Sequence, residues 1–177
     1  MYNPLSDLNT DSPIWTAKNQ NLVNNHIAVE VRNFATYEKL SCLFSHGSIG
    51  FTNLAKHFRR EADEELKHAR MFMDYQNKRG GSVHIIELPV DNLLTVIEAE
   101  NKVVAAYKLA LELEKSTYKA LLELHKGGES DPQLQDFVEV ILDEQLETQK
   151  KINDTIQRLQ VGGPTANYIH ETIELAK

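Results

Sequence analysis

The sequence has little of several features on which protein function commonly depends. Its single cysteine, Cys42, excludes an internal disulfide framework, and no catalytic sequence surrounds it. No apolar run is long enough to cross a bilayer, and the first residues do not resemble a signal peptide. The 26 acidic residues outnumber the 19 lysines and arginines, and a net charge of -7 disfavours sequence-independent binding to nucleic acid. We therefore expect a cytoplasmic protein with neither a membrane nor a nucleic-acid partner.

The pattern of apolar residues divides the chain into an arm and one domain. Residues 1–15 contain Pro4 and Pro13 and show no periodicity, which predicts a flexible N-terminal arm. Residues 16–177 have the length of a single domain with one core. Within this domain, apolar residues at helical spacing predict long helices over about 16–45, 51–78, 95–126 and 131–162, and a short fifth helix over about 165–176.

Short signals mark where the predicted helices begin and end. Glycine pairs follow the second and third helices, and Asp131-Pro132 is a typical N-cap and first residue for the fourth. Thr95-x-x-Glu98 is interpreted as a capping box that opens the third helix. The connection over 82–94 is too long for a tight turn, whereas the other two connections are short. The sequence therefore predicts an all-α four-helix bundle with a long crossover between helices 2 and 3 and a short fifth C-terminal helix.

Each long helix carries a polar group near the middle of its inward face, where apolar residues are expected. A buried ionised carboxylate is very unfavourable unless it is paired or binds a metal. For any one of these residues a paired core acid is the simpler explanation. No lysine or arginine lies on the inward faces, however, so the neutralising cation must come from elsewhere. Carboxylates with one imidazole and one amide oxygen suit Fe(II), Mn(II) or Zn(II). The polar residues are Glu30, Glu65 with His68, Glu114 and Gln145.

With these residues in place the chain resembles a ferritin of the non-haem, heavy-chain-like kind with a di-iron ferroxidase centre. The resemblance covers about residues 22–175 at family spacing. It is carried by the segments "VEVRNFATYEKL", "NLAKHFRREADEELKHARMFMDYQNKRGG", "LELEKSTYKALLELHK", "DPQLQDFVE" and "DEQ".

The resemblance implies iron storage and detoxification. Two Fe(II) ions would be oxidised by O2 and the product kept as a ferric mineral inside a homo-oligomeric shell of 24 subunits. Haem is not expected, because the family's haem-binding methionine has no counterpart here. By this resemblance Glu30, Glu65 and His68 hold one iron, Glu65 bridges to a second held by Glu114 with Gln145 nearby, and Tyr37 stands beside the pair.

Further residues match accessory positions of the family. Asp136 and Glu139 correspond to acids that line three-fold pores, although a solvated acidic helix face is a competing interpretation. Glu64, Glu144 and Glu147 match three acids of a third iron site in prokaryotic ferritins, and Thr148 replaces the fourth. Glu61 is either an access ligand for iron or a partner for Arg60 or His57. The remaining histidines considered are assigned to structural positions, His26 and His125, or to the surface, His57 and His170.

Two other functions remain open from the sequence. A substrate-oxidising di-iron carboxylate enzyme shares the bundle architecture, but such enzymes usually carry two Glu-x-x-His motifs, and the fourth helix offers only Glu144-x-x-Glu147. A catalytically silent shell subunit would have a disrupted ligand set, whereas the set here is intact.

Overall fold

The computed structural model describes residues 15–175, and these form a bundle of four long helices. Helix α1 packs against α2, α4 packs against α5, and α1 also contacts α4. The predicted four-helix bundle is therefore confirmed. The elements are α1 (Ala17–Ser45), α2 (Thr52–Lys78), the single turn α3 (Leu94–Ile97), α4 (Lys102–Gly127), α5 (Pro132–Ile169) and a π-helical turn, His170–Glu174.

Side-chain caps explain where the helices start. Thr16 Oγ1 accepts a hydrogen bond from the backbone N–H of Asn19 at 3.1 Å, and Asp131 Oδ1 accepts one from Leu134 at 3.1 Å. Both helix starts agree with the sequence prediction, since a side-chain oxygen here satisfies an N–H that has no partner within the helix.

The predicted start of the third long helix at Thr95 is wrong. Residues Leu94–Ile97 form the separate turn α3, and the long helix α4 begins only at Lys102. The actual cap is Asn101, whose Oδ1 accepts from the backbone N–H of Val104 at 3.1 Å. Residues 98–101 interrupt the helix. Thr95 lies inside the turn α3, so Thr95 and Glu98 do not form the predicted capping box.

Helix α5 is broken at Gly163, whose backbone angles are φ 58° and ψ -150°. Only glycine adopts this region without strain, and Pro164 directly after it cannot continue the preceding hydrogen-bond ladder. The chain therefore changes direction here, and the segment after the break folds back to contact α2. This segment corresponds to the predicted fifth helix, although Ala176, its predicted last residue, lies outside the described residues.

The segment after the break is fastened to the start of α2 by Glu171. Its carboxylate accepts hydrogen bonds from the backbone N–H groups of Asn53 and Leu54, each at 2.7 Å. Phe51, the residue at the N-cap of α2, supplies no side-chain cap of its own. A glutamate distant in sequence therefore caps the helix, which places a negative charge at the positive end of its dipole.

The core consists of two apolar clusters separated by a polar layer. One cluster contains Leu40, Phe58 and Leu113, and the other contains Ile27 and Leu121. Along every long helix the buried residues change from one cluster to the other near mid-length, and polar residues occupy the change. The buried polar residues at this level are Glu30, Asn33, Glu65, Glu114, Thr117 and Gln145.

The N-terminal boundary differs slightly from the prediction. Trp15, which the sequence analysis assigned to the arm, is 1% exposed and donates a hydrogen bond from Nε1 to Gln76 Oε1 at 2.9 Å. Its ring also lies under the Arg79 guanidinium, 4.6 Å from the ring centroid. The domain therefore includes Trp15, and the rest of the predicted arm, residues 1–14, lies outside the described residues. Between Trp15 and Leu175 none of the helices is long and apolar enough to span a membrane.

Candidate metal centre

The polar layer brings together side chains from all four long helices at the middle of the bundle. Glu30 of α1, Glu65 of α2, Glu114 of α4 and Gln145 of α5 are 0%, 4%, 1% and 3% exposed. These are the groups that the sequence analysis placed on the inward faces. The buried polar residues between Trp15 and Leu175 include no lysine or arginine that could neutralise the three carboxylates.

Two of these side chains, Glu30 and Glu65, lie close to a third possible ligand, His68. Ligand atoms of Glu30, Glu65 and His68 all lie within 4.8 Å of one another. Glu65 and His68 are three residues apart on α2 and so share one face of that helix. Two carboxylates and one imidazole at this separation can coordinate a single divalent first-row metal ion.

Several buried atoms of the centre have no hydrogen-bond partner. Buried polar atoms in proteins are almost always paired, since an unpaired one loses its hydration without replacement. Every unpaired atom in this set carries, or can carry, a lone pair, and together they come from four helices. Bound metal ions would supply the missing partners, so the donor set fits a metal centre. The atoms are Glu30 Oε1 and Oε2, His68 Nδ1, Glu114 Oε2 and Gln145 Oε1.

Other atoms of the carboxylates are held by polar neighbours. Tyr37 Oη donates to Glu114 Oε1 at 2.5 Å. Asn33 Nδ2 donates to Glu65 Oε2 at 3.2 Å and to Thr117 Oγ1 at 2.7 Å. The hydroxyl of Tyr37 thus lies beside the carboxylate of the second predicted metal position.

Burial and repulsion between like charges shift the pKa values of the carboxyl groups. Burial, followed by the charges of Glu30 and Glu114, raises the pKa of Glu65 well above its ordinary value. Burial also raises the pKa of Glu114 to about 7. For Glu30 burial acts in the same direction, but the neighbouring His26, Glu65 and His68 outweigh it and lower the pKa. Like-charged groups in a dry site therefore retain protons that a bound cation would displace.

A cavity of about 330 Å³ leads from the centre to the protein surface. Its walls include Glu65, His68, Glu114 and Gln145, so the candidate ligands face open space on this side. The predicted accessory acids line the same cavity, which places all four within reach of an ion passing through it. They are Glu61, Glu64, Glu144 and Glu147.

The accessory acids differ in their surroundings. The Glu61 carboxylate lies 3.5 Å from His57 Nδ1, and burial lowers the pKa of His57 to about 4, which leaves the ring neutral at pH 7. The sequence left Glu61 either as an access ligand for iron or as a partner for Arg60 or His57, and the structure shows the contact with His57. Glu64 is paired with Lys67 at 2.9 Å in an exposed position.

The predicted pore acids lie away from the centre. Asp136 and Glu139 are both exposed on α5, and Glu139 Oε1 lies 3.1 Å from His125 Nε2. The assignment of His170 to the surface is wrong. Its ring is 7% exposed and its Nε2 is hydrogen-bonded to Tyr107 Oη at 2.6 Å, because the segment after Gly163 folds back over the bundle.

Two residues of the centre were missed from the sequence, Asn33 and His26. Asn33 follows Glu30 by three residues and so lies on the same face of α1, a signal that could have identified it. His26 precedes Glu30 by one turn, and its Nε2 lies 2.7 Å from Glu30 Oε1. The sequence analysis had assigned His26 a structural position near the end of the inward face.

Comparison with known proteins gives consistent results over most of the chain. The ferritin-like domain family matches residues 20–161. "Ferritin-1, chloroplastic" of Brassica napus is 40% identical over 146 residues, which cover 80% of this chain and 57% of the relative. "Ferritin, middle subunit" of Aquarana catesbeiana is 34% identical over 152 residues and 84% of each chain. The chain thus spans a little over half the length of the plant relative.

A solved structure shares the fold and much of the sequence. The crystal structure of ferritin from the multicellular green alga Ulva pertusa superimposes with a TM-score of 0.86 at 30% identity. The match covers 98% of this chain and 90% of the algal chain.

Proposed function

Because the chain belongs to the ferritin family, we propose that it oxidises Fe(II) with O2 and stores the Fe(III) product as a mineral inside an oligomeric shell. The observation that carries the proposal is the set of buried, unpaired ligand atoms in the polar layer. Iron is here the substrate, which passes through the site.

Two iron positions share the centre in this proposal. Glu30, Glu65 and His68 bind one Fe(II), which the mutual approach of their ligand atoms to within 4.8 Å supports. Glu65 bridges to a second Fe(II) bound by Glu114 with Gln145 nearby. The second position lacks a histidine and has one amide in place of a carboxylate, so it binds iron more weakly and releases the product more readily.

The residues around the two iron positions orient the ions and supply negative charge. Two Fe(II) ions yield two electrons, and O2 accepts two electrons and two protons to give hydrogen peroxide. The carboxylates of Glu65 and Glu114 stabilise the higher charge of Fe(III) over Fe(II), which favours oxidation. Tyr37 keeps one oxygen of Glu114 occupied, so that only the other faces the metal. The two apolar clusters close the layer on either side and leave the cavity as its route to the surface.

The product leaves through the cavity that borders the centre. Its acids, Glu61, Glu64, Glu144 and Glu147, offer successive weak sites for a cation and support a transient third iron position there. Because Lys67 lies beside Glu64, this face attracts cations less strongly than an all-acidic one. Nucleation of the mineral at this patch is accordingly weak.

We further propose that the shell contains 24 identical subunits. Residues 15–177 form the single domain from which it is built, behind an N-terminal arm. Asp136 and Glu139 line pores where three subunits meet, and their exposure on one helix face supports this role. Three apolar residues exposed on the segment after Gly163 support a contact between subunits around a four-fold pore, namely Tyr168, Ile169 and Ile173.

Haem content and cellular compartment are the two remaining properties. The shell holds no haem, since no methionine occupies the position at which haem-binding members of the family carry one; the absorption spectrum of purified protein tests this directly. We propose the cytoplasm as the compartment, or an organelle if a targeting segment directs the chain there, as the names of the chloroplastic relatives indicate for those proteins.

The test is an aerobic Fe(II) titration of the purified assembly, followed by ferric absorbance and O2 consumption. The wild-type protein is compared with a Glu65→Ala/His68→Ala variant, and Glu112→Ala, an exposed substitution on α4, serves as the control. We expect fast oxidation that saturates at about two irons per chain and is absent from the double variant, followed by slower mineral growth.

Other outcomes would support the remaining candidates. Oxidation in the wild type no faster than in the double variant would refute the ferroxidase assignment and leave a silent shell subunit. A protein that retains two irons and takes up no more would instead be a di-iron enzyme. A mass far below that of a large shell by light scattering would exclude storage.

A further inference from the structure

Each of the three carboxylates of the centre is contacted by a different side chain of α1. The contacts are of similar length and each involves a single carboxylate oxygen. They join Tyr37 Oη to Glu114 Oε1 at 2.5 Å, Asn33 Nδ2 to Glu65 Oε2 at 3.2 Å, and His26 Nε2 to Glu30 Oε1 at 2.7 Å.

The three α1 residues lie along one face of the helix. His26, Asn33 and Tyr37 are separated by seven and then four residues, which is the spacing of a single helical stripe. They are 2%, 0% and 1% exposed. We call these three residues the α1 row. Since the row is continuous and each member contacts a different carboxylate, it forms one wall of the polar layer.

His26 has no other polar neighbour to explain its burial. Its ring packs edge-on against Phe72, with centroids 4.4 Å apart, and neither ring nitrogen makes a hydrogen bond. A histidine that served the core alone would be expected to bond a hydroxyl or a carbonyl group. The approach of Nε2 to Glu30 Oε1 is close, at 2.7 Å, although it does not meet the geometry of a hydrogen bond.

The contacts leave the opposite carboxylate oxygens available. On Glu114 the oxygen that Tyr37 does not hold, Oε2, is buried and unpaired. On Glu30 both oxygens are buried and without a hydrogen bond, and Oε1 is the one close to His26, which leaves Oε2 clear of that contact. His26 is not among the residues whose ligand atoms lie within 4.8 Å of one another, so it acts through Glu30.

We propose that His26 and Asn33 are positioning residues that hold one oxygen of Glu30 and of Glu65, so that the other oxygen of each faces the metal. Tyr37 has the same relation to Glu114, and the α1 row therefore orients all three carboxylates. This inference rests on the proposed function, because it concerns the same centre. Residues that orient metal ligands typically change metal affinity about 10–100-fold when they are removed.

The test uses Co(II) as the probe and needs no iron turnover. Full-length, metal-free protein is titrated with Co(II), and the visible absorption of the bound ion gives both the affinity and the coordination geometry. The variants are His26→Leu and Asn33→Leu, which remove the donors while filling their volume. His26→Gln retains an N–H donor of similar reach. Thr36→Val is the matched control, because Thr36 is buried on α1 and its hydroxyl bonds Arg32 and Asp91 instead of the carboxylates of the centre.

We expect the two leucine variants to bind Co(II) about 10–100-fold more weakly than the wild type, with an altered spectrum. His26→Gln should recover most of the lost affinity, and Thr36→Val should leave both quantities unchanged. If a leucine variant lacks the helical circular dichroism of the wild type, the corresponding alanine variant is judged by the same criterion.

Wild-type affinity and spectrum in the donor-removing variants would overturn the inference and leave His26 and Asn33 as core residues. A loss that His26→Gln does not recover would overturn the role of His26. The failure of the proposed function is separate, since a wild-type protein that binds Co(II) no better than the Glu65→Ala/His68→Ala variant would refute the centre itself.

Discussion

The charge in the polar layer makes a quantitative prediction for Glu114→Gln. Glutamine is isosteric with glutamate and retains the Oε1 acceptor to which Tyr37 donates at 2.5 Å. The substitution therefore removes the charge and keeps the packing. Because the ionised carboxylate is disfavoured by burial, we expect the metal-free variant to be more stable than the wild type above neutral pH.

The magnitude follows from the pKa of Glu114, which burial raises from an ordinary value of 4.5 to about 7. The folded protein thus binds this proton more tightly than the unfolded chain does. Its free energy of unfolding falls as the pH rises from 4.5 to 7 and is constant above, with a total loss of about 3 kcal/mol at about 1.4 kcal/mol for each pH step. In a chain of this size that corresponds to roughly 6–12 °C in Tm.

Thermal unfolding of metal-free protein from pH 4.5 to 8.5 measures the difference. Glu114→Gln should melt above the wild type at pH 8, and the gap should close as the pH falls towards 4.5. Adding Zn(II) should reverse the order, because the wild type binds the metal more tightly and a bound ligand stabilises the folded state. Glu112→Gln, an exposed change two residues away, provides the control. A wild type that is the more stable at pH 8 without metal, or a gap independent of pH, would refute the reasoning.

Three further substitutions each test one local feature of the structure. Tyr37→Phe should weaken Co(II) binding about 10–100-fold and slow Fe(II) oxidation, because Glu114 loses the hydroxyl that orients it; a Co(II) titration and stopped-flow absorbance measure the two effects, and wild-type affinity and rate would show that the hydroxyl is dispensable. Glu171→Ala should lower the free energy of unfolding by about 1–2 kcal/mol, since it removes the cap of α2, and urea denaturation beside Glu174→Ala tests whether the loss is specific to the cap. Gly163→Ala should cost about 1–3 kcal/mol through backbone strain and loosen the segment that follows, which faster limited proteolysis after residue 163 would reveal; unchanged cleavage would argue against strain at the break.

The fold was predictable because helix starts and stops depend on nearby residues. Thr16 and Asp131 cap the helices that follow them, as expected from their side chains and positions. The error at Thr95 has a local cause as well. The pattern Thr95-x-x-Glu98 satisfied the rule for a capping box, but Asn101 supplied the cap in the structure. When two possible N-caps lie close together, the sequence pattern does not show which of them starts the helix, since the starting point depends on where the helix packs.

The inward-facing acids were predictable because helical spacing puts them on one face. Their outer contacts were harder to predict, since each depends on how two helices are juxtaposed. Asn33 reaches Glu65 on another helix, and His170 reaches Tyr107 across 63 residues. His26 was close to Glu30 in sequence, yet an isolated histidine near the end of an inward face usually has no functional role. Only the three contacts considered together reveal the α1 row.

The cap that Glu171 provides for α2 bears on how the protein is made. Synthesis on the ribosome proceeds from the N-terminus, so Asn53 and Leu54 emerge long before the residue that satisfies their N–H groups. During translation the first turn of α2 therefore lacks its partner, although this helix carries Glu65 and His68. The cap forms only after Glu171 has left the exit tunnel, and chains whose translation stops before this residue lack it.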